Sequence, residues 1–108
     1  MPYGVGMNTI VETRFFARKV QGIWTTTEYE KFLTYISRYP NAGKLIPGTG
    51  GVRKIRWEAK GVGKRGGTRV IYYNKTMSEI WLLTLYVKID TENIPANELI
   101  KMRKATYD

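Results

Sequence analysis

The chain has 108 residues, with 18 Lys and Arg against 9 Asp and Glu, a formal charge of +9. It contains no cysteine and no histidine, which excludes disulfides, thiolate and imidazole metal sites, and Ser-His-Asp catalysis. At 43% hydrophobic and 13% aromatic it can bury the core of a single domain spanning residues 1–108, with residues 1–6 as a candidate disordered extension.

In chain order, Ile10 to Thr13 reads as a short first strand. Thr13 to Ile23 reads as a first helix, with Phe16, Val20 and Ile23 at i, i+4 and i+7. Thr25 to Tyr39 is the clearest helix. Thr25 or Thr27 can cap it, each with a Glu three residues on, and Tyr29, Phe32, Leu33, Ile36 and Tyr39 form one stripe that ends at Pro40. Turn chemistry follows at Pro40-Asn41-Ala42-Gly43 and Pro47-Gly48-Thr49-Gly50-Gly51. Val52 to Glu58 alternates, placing Arg53, Ile55 and Trp57 on one face and Val52, Lys54 and Arg56 on the other. Thr68 to Asn74 is a second strand in this run and Glu79 to Ile89 a third, apolar on both faces and so central. Pro95 to Thr106 is a terminal helix with proline near its first turn. The order β-α-α-β-β-β-α implies an α+β fold: a small antiparallel sheet, made of a C-terminal three-strand meander plus the N-terminal strand. Its helices are expected on one face, the other being left to the basic residues.

The N-terminus MPYGVGMN has no basic n-region followed by an apolar stretch, so it does not read as a signal peptide. The longest apolar run, Ile80 to Val87, falls far short of the ~20 residues of a spanning helix. A cytoplasmic protein without membrane association is expected.

Charge is concentrated in Lys44 to Arg69, which holds eight Lys or Arg and one acid, Glu58, and therefore +7 of the +9. Such a segment points to an anionic polymer as partner, because phosphate contacts supply most sequence-independent nucleic-acid affinity and speed encounter. Gly61 to Gly66 matches G-x-G-x-x-G literally, but the residues that follow read as strand where a dinucleotide site needs a helix. A P-loop fails because Arg65 follows Lys64. Two readings remain for this loop: a solvated hairpin connection, or a phosphate clamp in which Lys60, Lys64 and Arg65 supply counter-charge. The charge pattern favours the clamp. Among strand aromatics, Trp57 and Trp81 read as core, while Tyr73 and Tyr86 are candidates for stacking on a base or holding a phosphate. Glu58, Glu79, Asp90 and Glu92 lack the paired spacing of glycosidases or two-metal nucleases. No metal and no cofactor is expected.

Three runs carry a family resemblance: Gly50-Gly51-Val52-Arg53-Lys54-Ile55-Arg56, Gly63-Lys64-Arg65-Gly66-Gly67-Thr68-Arg69-Val70-Ile71-Tyr72-Tyr73, and Leu82-Leu83-Thr84-Leu85-Tyr86-Val87-Lys88. Together with the acidic-aromatic helix closed by Pro40, they resemble the RelE/HigB branch of type II toxins over residues 8 to 105. The resemblance implies a RelE-like toxin that enters the ribosomal 30S decoding site and cuts mRNA without metal, by attack of the ribose 2′-hydroxyl on the adjacent phosphate. It also implies neutralisation by a cognate helix-turn-helix, HigA-like antitoxin whose complex binds operator DNA.

An enzyme without histidine must stabilise developing charge with Arg and Lys. Arg69 matches the family's strand arginine and is the first choice for transition-state stabilisation. Lys54, Arg56, Lys64 and Arg65 fall in its basic strand-and-loop positions, and Lys88 at the end of the last strand. Lys60, Arg53, Tyr73 and Lys88 are expected to bind RNA. The family's second arginine beyond that strand is replaced by Ile89, and Tyr107 is the lone tyrosine near the terminal helix. Tyr86, Tyr73, Lys54 and Lys64 therefore all stand as candidates for the general base. Two other function classes fit the same charge: a same-fold toxin acting on gyrase, and a non-catalytic RNA- or DNA-binding module. A membrane-surface role fits least, because the cations lie on strands and loops and not on an amphipathic helix.

Overall fold

The computed structural model describes residues 8–58, 67–88 and 93–107. A short strand β1 (Thr9–Glu12) leads into helices α1 (Arg14–Val20) and α2 (Thr26–Arg38). Strands β2 (Lys44–Leu45), β3 (Val52–Trp57), β4 (Thr68–Thr76) and β5 (Glu79–Val87) follow, and α3 (Ala96–Ala105) closes the order. Threonines start both N-terminal helices. Thr13 Oγ1 accepts from the Phe16 N–H at 3.3 Å, and Thr25 Oγ1 from the Glu28 N–H at 3.2 Å, satisfying amides that the helix itself leaves unpaired. Phe32, Leu33 and Ile36 bury the α2 stripe. Tyr39, expected in that stripe, has left helical geometry at φ −126°; it is half exposed and packs against Tyr35 with ring centroids 5.0 Å apart.

The five strands form one mixed sheet in the order β1-β5-β4-β3-β2. The expected meander holds: β3 pairs with β4 and β4 with β5, both antiparallel. Two features differ from expectation. β1 runs parallel to β5, because α1 and α2 carry the chain away across the sheet before β2 starts, as parallel neighbours require. α3 lies on the face opposite α1 and α2. One cluster joins Phe16, Val20, Phe32 and Ile36 to Val70, Tyr72, Leu82 and Leu85. The other joins Leu99 of α3 to Val52, Ile71, Leu83 and Tyr86, with Met102 packed against it. The reason is the apolar stretch of β5, which supplies side chains to both faces and demands cover on both.

A β-bulge sets the phase of β5. Ile71 pairs with Thr84 and Tyr72 with Leu82, leaving Leu83 as the extra residue. Strict alternation from Leu82 would send Tyr86 to the α1–α2 side. The bulge instead turns Tyr86 to the α3 side, directly across from Arg69.

Several polar contacts fasten α3 and its terminal turn. Arg103 Nε donates to the Thr49 carbonyl at 2.8 Å. The Tyr73 and Tyr107 hydroxyls share a hydrogen bond of 2.9 Å. Lys75 Nζ donates to the Thr106 carbonyl and sits 4.5 Å and 4.3 Å from the Trp81 and Tyr107 ring centroids.

Beneath the other end of the sheet, Tyr72 clamps the turn that follows α2. Its hydroxyl donates to the Pro40 carbonyl and accepts from the Gly43 N–H, each at 2.8 Å. Glycine is required at 43 by this approach, since a Cβ there would stand 2.7 Å from the Tyr72 ring and hydroxyl. Burial holds the Tyr72 phenol above its ordinary 10.0, against weaker opposing pulls from the Gly43 amide and the Arg53 guanidinium. A raised value means that folding favours the neutral phenol. Its contribution is therefore complete below about pH 10 and is lost as pH climbs through the folded value. Tyr72→Phe should lower unfolding free energy by about 1–3 kcal/mol at neutral pH, because the buried Gly43 N–H loses its acceptor. The variant should also show a flatter alkaline decline than wild type; urea titrations between about pH 7 and 11 read both effects.

Candidate active site

The α3-side face of β2, β3 and β4 carries the cations. In antiparallel pairs, directly opposed residues share a face. Lys44 stands opposite Lys54, and Arg56 opposite Arg69. Arg56 and Lys54 are two apart on β3 and so point the same way. The face therefore contains two directly opposed like-charge pairs. Like charges placed directly opposite each other are destabilising. Further along, β5 adds Tyr86 opposite Arg69, giving the row Arg56, Arg69, Tyr86 across three strands.

Lys44, Lys54, Arg56 and Arg69 line one cleft of about 260 Å³. Lys54 and Arg69 are half-buried and Arg56 is more exposed. Arg56 Nη2 donates to Glu58 Oε2 at 2.7 Å, with both side chains more than half exposed, an ion pair worth at most about 1 kcal/mol. Gly67, at φ +86°, makes room beneath it, since a Cβ would stand 3.0 Å from Glu58 Cγ and 3.2 Å from Arg56 Nε. Lys54 Nζ donates to Asn93 Oδ1 at 3.2 Å, tying β3 to the segment before α3.

Tyr86 is 2% exposed, so its ring belongs to the core and offers no stacking surface. Burial holds its phenol above the ordinary 10.0, with the Arg69 guanidinium pulling it partly back. Near neutral pH the hydroxyl is thus protonated and suited to donating a proton; that state argues against Tyr86 as a general base.

The fold separates the remaining candidates. Arg53 points to the opposite face, where its Nη1 donates to the Gly43 carbonyl at 2.7 Å and to that of Asn41 at 3.3 Å. Tyr73 lies on the correct face but four residues along β4 from Arg69, about 13 Å at strand rise, with its hydroxyl engaged by Tyr107. Lys88 is exposed just past β5, its N–H donating to the Gly67 carbonyl at 3.3 Å. Lys60, Lys64 and Arg65 lie outside the described residues. Two residues in or beside the cleft escaped the sequence reading. Lys44 sits on a two-residue strand with no periodic signal, and Asn93 was one of several polar residues before a helix. Among the described residues, no group of three or more His, Cys, Asp and Glu is placed to hold a metal ion, and no helix is long and apolar enough to cross a membrane.

The result is a small α+β domain that gathers opposed cations on one sheet face. Residues 10–108 match the family described as the RelE toxin of the RelE / RelB toxin-antitoxin system. The chain belongs to this family and is a toxin of a toxin–antitoxin system, with an antitoxin as partner. Its fold is also that of a solved E. coli toxin RelE, a double arginine-to-alanine mutant in the free state. The two superimpose with a TM-score of 0.62 over 90% of this chain and 97% of that one, at 13% identity, a likeness that speaks for the fold alone.

If opposed cations are the cost of an anion site, removing one should not harm the fold. Arg56→Gln should shift unfolding free energy by less than about 0.5 kcal/mol or raise it. Inorganic phosphate in the millimolar range should raise the Tm of wild type, and raise that of the variant less. Thermal melts with and without phosphate measure both.

Proposed function

We propose that this toxin is a ribosome-dependent endoribonuclease that cuts mRNA in the 30S decoding site without a metal ion. The observation that carries the reading is the convergence of Lys54, Arg56 and Arg69 on one cleft beside a protonated Tyr86. In the reaction, the ribose 2′-hydroxyl gives up its proton to a base, its oxygen attacks the adjacent phosphorus, a 2′,3′-cyclic phosphate forms, and the P–O5′ bond breaks as the 5′-oxygen takes up a proton and leaves. Negative charge builds on the non-bridging oxygens during attack. Preorganised cations placed there lower the barrier, because they need no reorganisation as the charge develops.

Arg69 takes the central role, being half-buried between Arg56 and Tyr86 in the cross-strand row. Arg56 and Lys54 hold the phosphate from the neighbouring strand. Tyr86 offers its phenol proton to the phosphate or to the leaving 5′-oxygen. Lys60, Lys64, Arg65 and Lys88 grip the RNA and ribosomal RNA backbone around this centre. The toxin acts in the cytoplasm, and its antitoxin is a HigA-like helix-turn-helix protein whose complex with it binds operator DNA.

Expression without the antitoxin should stop translation, and primer extension should find breaks in ribosome-associated transcripts. Arg69→Ala should lower cleavage by about 10²–10³-fold, the typical loss for one donor to a developing oxyanion, while leaving the melting curve near that of wild type. Blocked replication with intact transcripts would contradict the reading and point to gyrase as the target.

A further inference from the structure

Cleavage needs a group that takes the 2′-hydroxyl proton, and the cation row Arg56, Arg69, Tyr86 does not supply one. Tyr86 keeps its own proton near neutral pH. Tyr73 stands further along β4 with its hydroxyl engaged by Tyr107. Lysine is ordinarily a cation at neutral pH and accepts nothing, whereas glutamate is ordinarily ionised and accepts only. Among the described acids, Glu12 is hydrogen-bonded by Tyr29 of α2, Glu79 by the Trp81 indole at the start of β5, and Glu98 is paired with Lys101 on α3. Glu28 and Glu30 lie on α2. Glu58 alone of them stands at the end of a strand that carries the cations.

Its geometry suits the task. Glu58 continues the two-residue alternation of Lys54 and Arg56, and so emerges on their face. Arg56 Nη2 donates to Glu58 Oε2 at 2.7 Å, which puts a carboxylate oxygen in direct contact with one cation of the row. A guanidinium carries five N–H donors in a planar fork, so Arg56 can hold Glu58 with one and keep others for a phosphate. A carboxylate and a phosphate on one guanidinium are close neighbours, and the attacking 2′-hydroxyl lies beside that phosphate. More than half of the Glu58 side chain is exposed, so an RNA strand can reach it. Gly67 leaves the space it occupies, since a Cβ there would stand 3.0 Å from Glu58 Cγ.

The placement relative to Tyr86 also fits. β4 lies between β3 and β5, so Glu58 and Tyr86 flank Arg69 from opposite sides, on strands about 10 Å apart. In-line displacement sets the attacking and leaving oxygens on opposite sides of the phosphorus, and the groups that take and give protons must be divided in the same way.

We infer that Glu58 is the general base of the cleavage, an inference that rests on the nuclease reading. Glu58 takes the 2′-hydroxyl proton as the bond from the 2′-oxygen to phosphorus forms. The P–O5′ bond breaks, and the 5′-oxygen leaves with the proton that Tyr86 offers. Water then removes the proton from Glu58 and returns one to Tyr86. The bland role for Glu58 is that of a counter-ion quieting Arg56. The two roles differ in sign, because removing a mere counter-ion would strengthen phosphate binding and leave cleavage as fast or faster.

Single-turnover cleavage of ribosome-bound mRNA separates them. Glu58→Gln should lower the rate constant by about 10²–10⁴-fold, the span of general acid–base catalysis. Glu58→Asp should retain more of the rate than Glu58→Gln, and added formate should restore part of the rate of Glu58→Ala. The rise in Tm with inorganic phosphate should be at least as large in Glu58→Gln as in wild type, which shows a folded chain with its anion site intact. A Glu58→Gln variant that cuts as fast as wild type, or faster, would overturn the assignment. So would a Glu58→Asp rate no higher than that of Glu58→Gln. If wild type itself cuts no ribosome-bound mRNA, the nuclease reading fails and the base falls with it; if wild type cuts and Glu58→Gln cuts equally, the base alone falls.

Discussion

The opposition of Arg56 and Arg69 on neighbouring strands organises the molecule's chemistry. Two guanidinium groups facing each other across a hydrogen-bonded ladder repel, and Lys44 facing Lys54 repeats the arrangement one strand further out. A fold selected for stability alone would alternate charges there. The repulsion is held in place by a sheet whose other residues are firmly fixed: Val70 and Ile71 beside Arg69 are buried, as are Leu85 and Tyr86 across from them. Rigid strands therefore present the cations at a spacing that solvent alone would not maintain.

Placement of α3 gives this charge a shape. By covering Ile71, Leu83 and Tyr86 through Leu99, the helix closes one half of the sheet face and leaves the other half to Lys44, Lys54, Arg56 and Arg69. The boundary between the two halves is where Lys54 meets Asn93 and where a smaller cavity adjoins the charged cleft. The same boundary sets the protonation of Tyr86, which burial keeps as a phenol beside Arg69. The placement of charge and burial thus follows from one packing arrangement.

Much of this was legible in the sequence. The threonine cap and apolar stripe of α2 located that helix. The alternation of Val52, Lys54 and Arg56 gave the basic face of β3. The family, too, was recognisable from short runs in β3, β4 and β5. What was hidden depended on tertiary partners. Two residues of β2 carry no period, so Lys44 stayed unassigned. The parallel pairing of β1 is fixed by where α1 and α2 take the chain. A bulge at Leu83 breaks the two-residue alternation that strand reading assumes, and α3 showed no local preference for either face. Arg53 illustrates the converse: its charge resembled that of its neighbours, but alternation sends it to the opposite face, where two carbonyls hold it.

In the proposed function, RNA phosphate meets the protein on the half of the sheet face left open by α3. The most direct measurement is a structure of the toxin on a ribosome carrying mRNA made uncleavable by a 2′-O-methyl group at the attacking ribose. The scissile phosphate should lie between Arg56 and Arg69, with Lys54 beside it and α3 flanking the strand. An mRNA running over α1 and α2, contacting Arg18 and Arg38 while the cleft stands empty of phosphate, would contradict it.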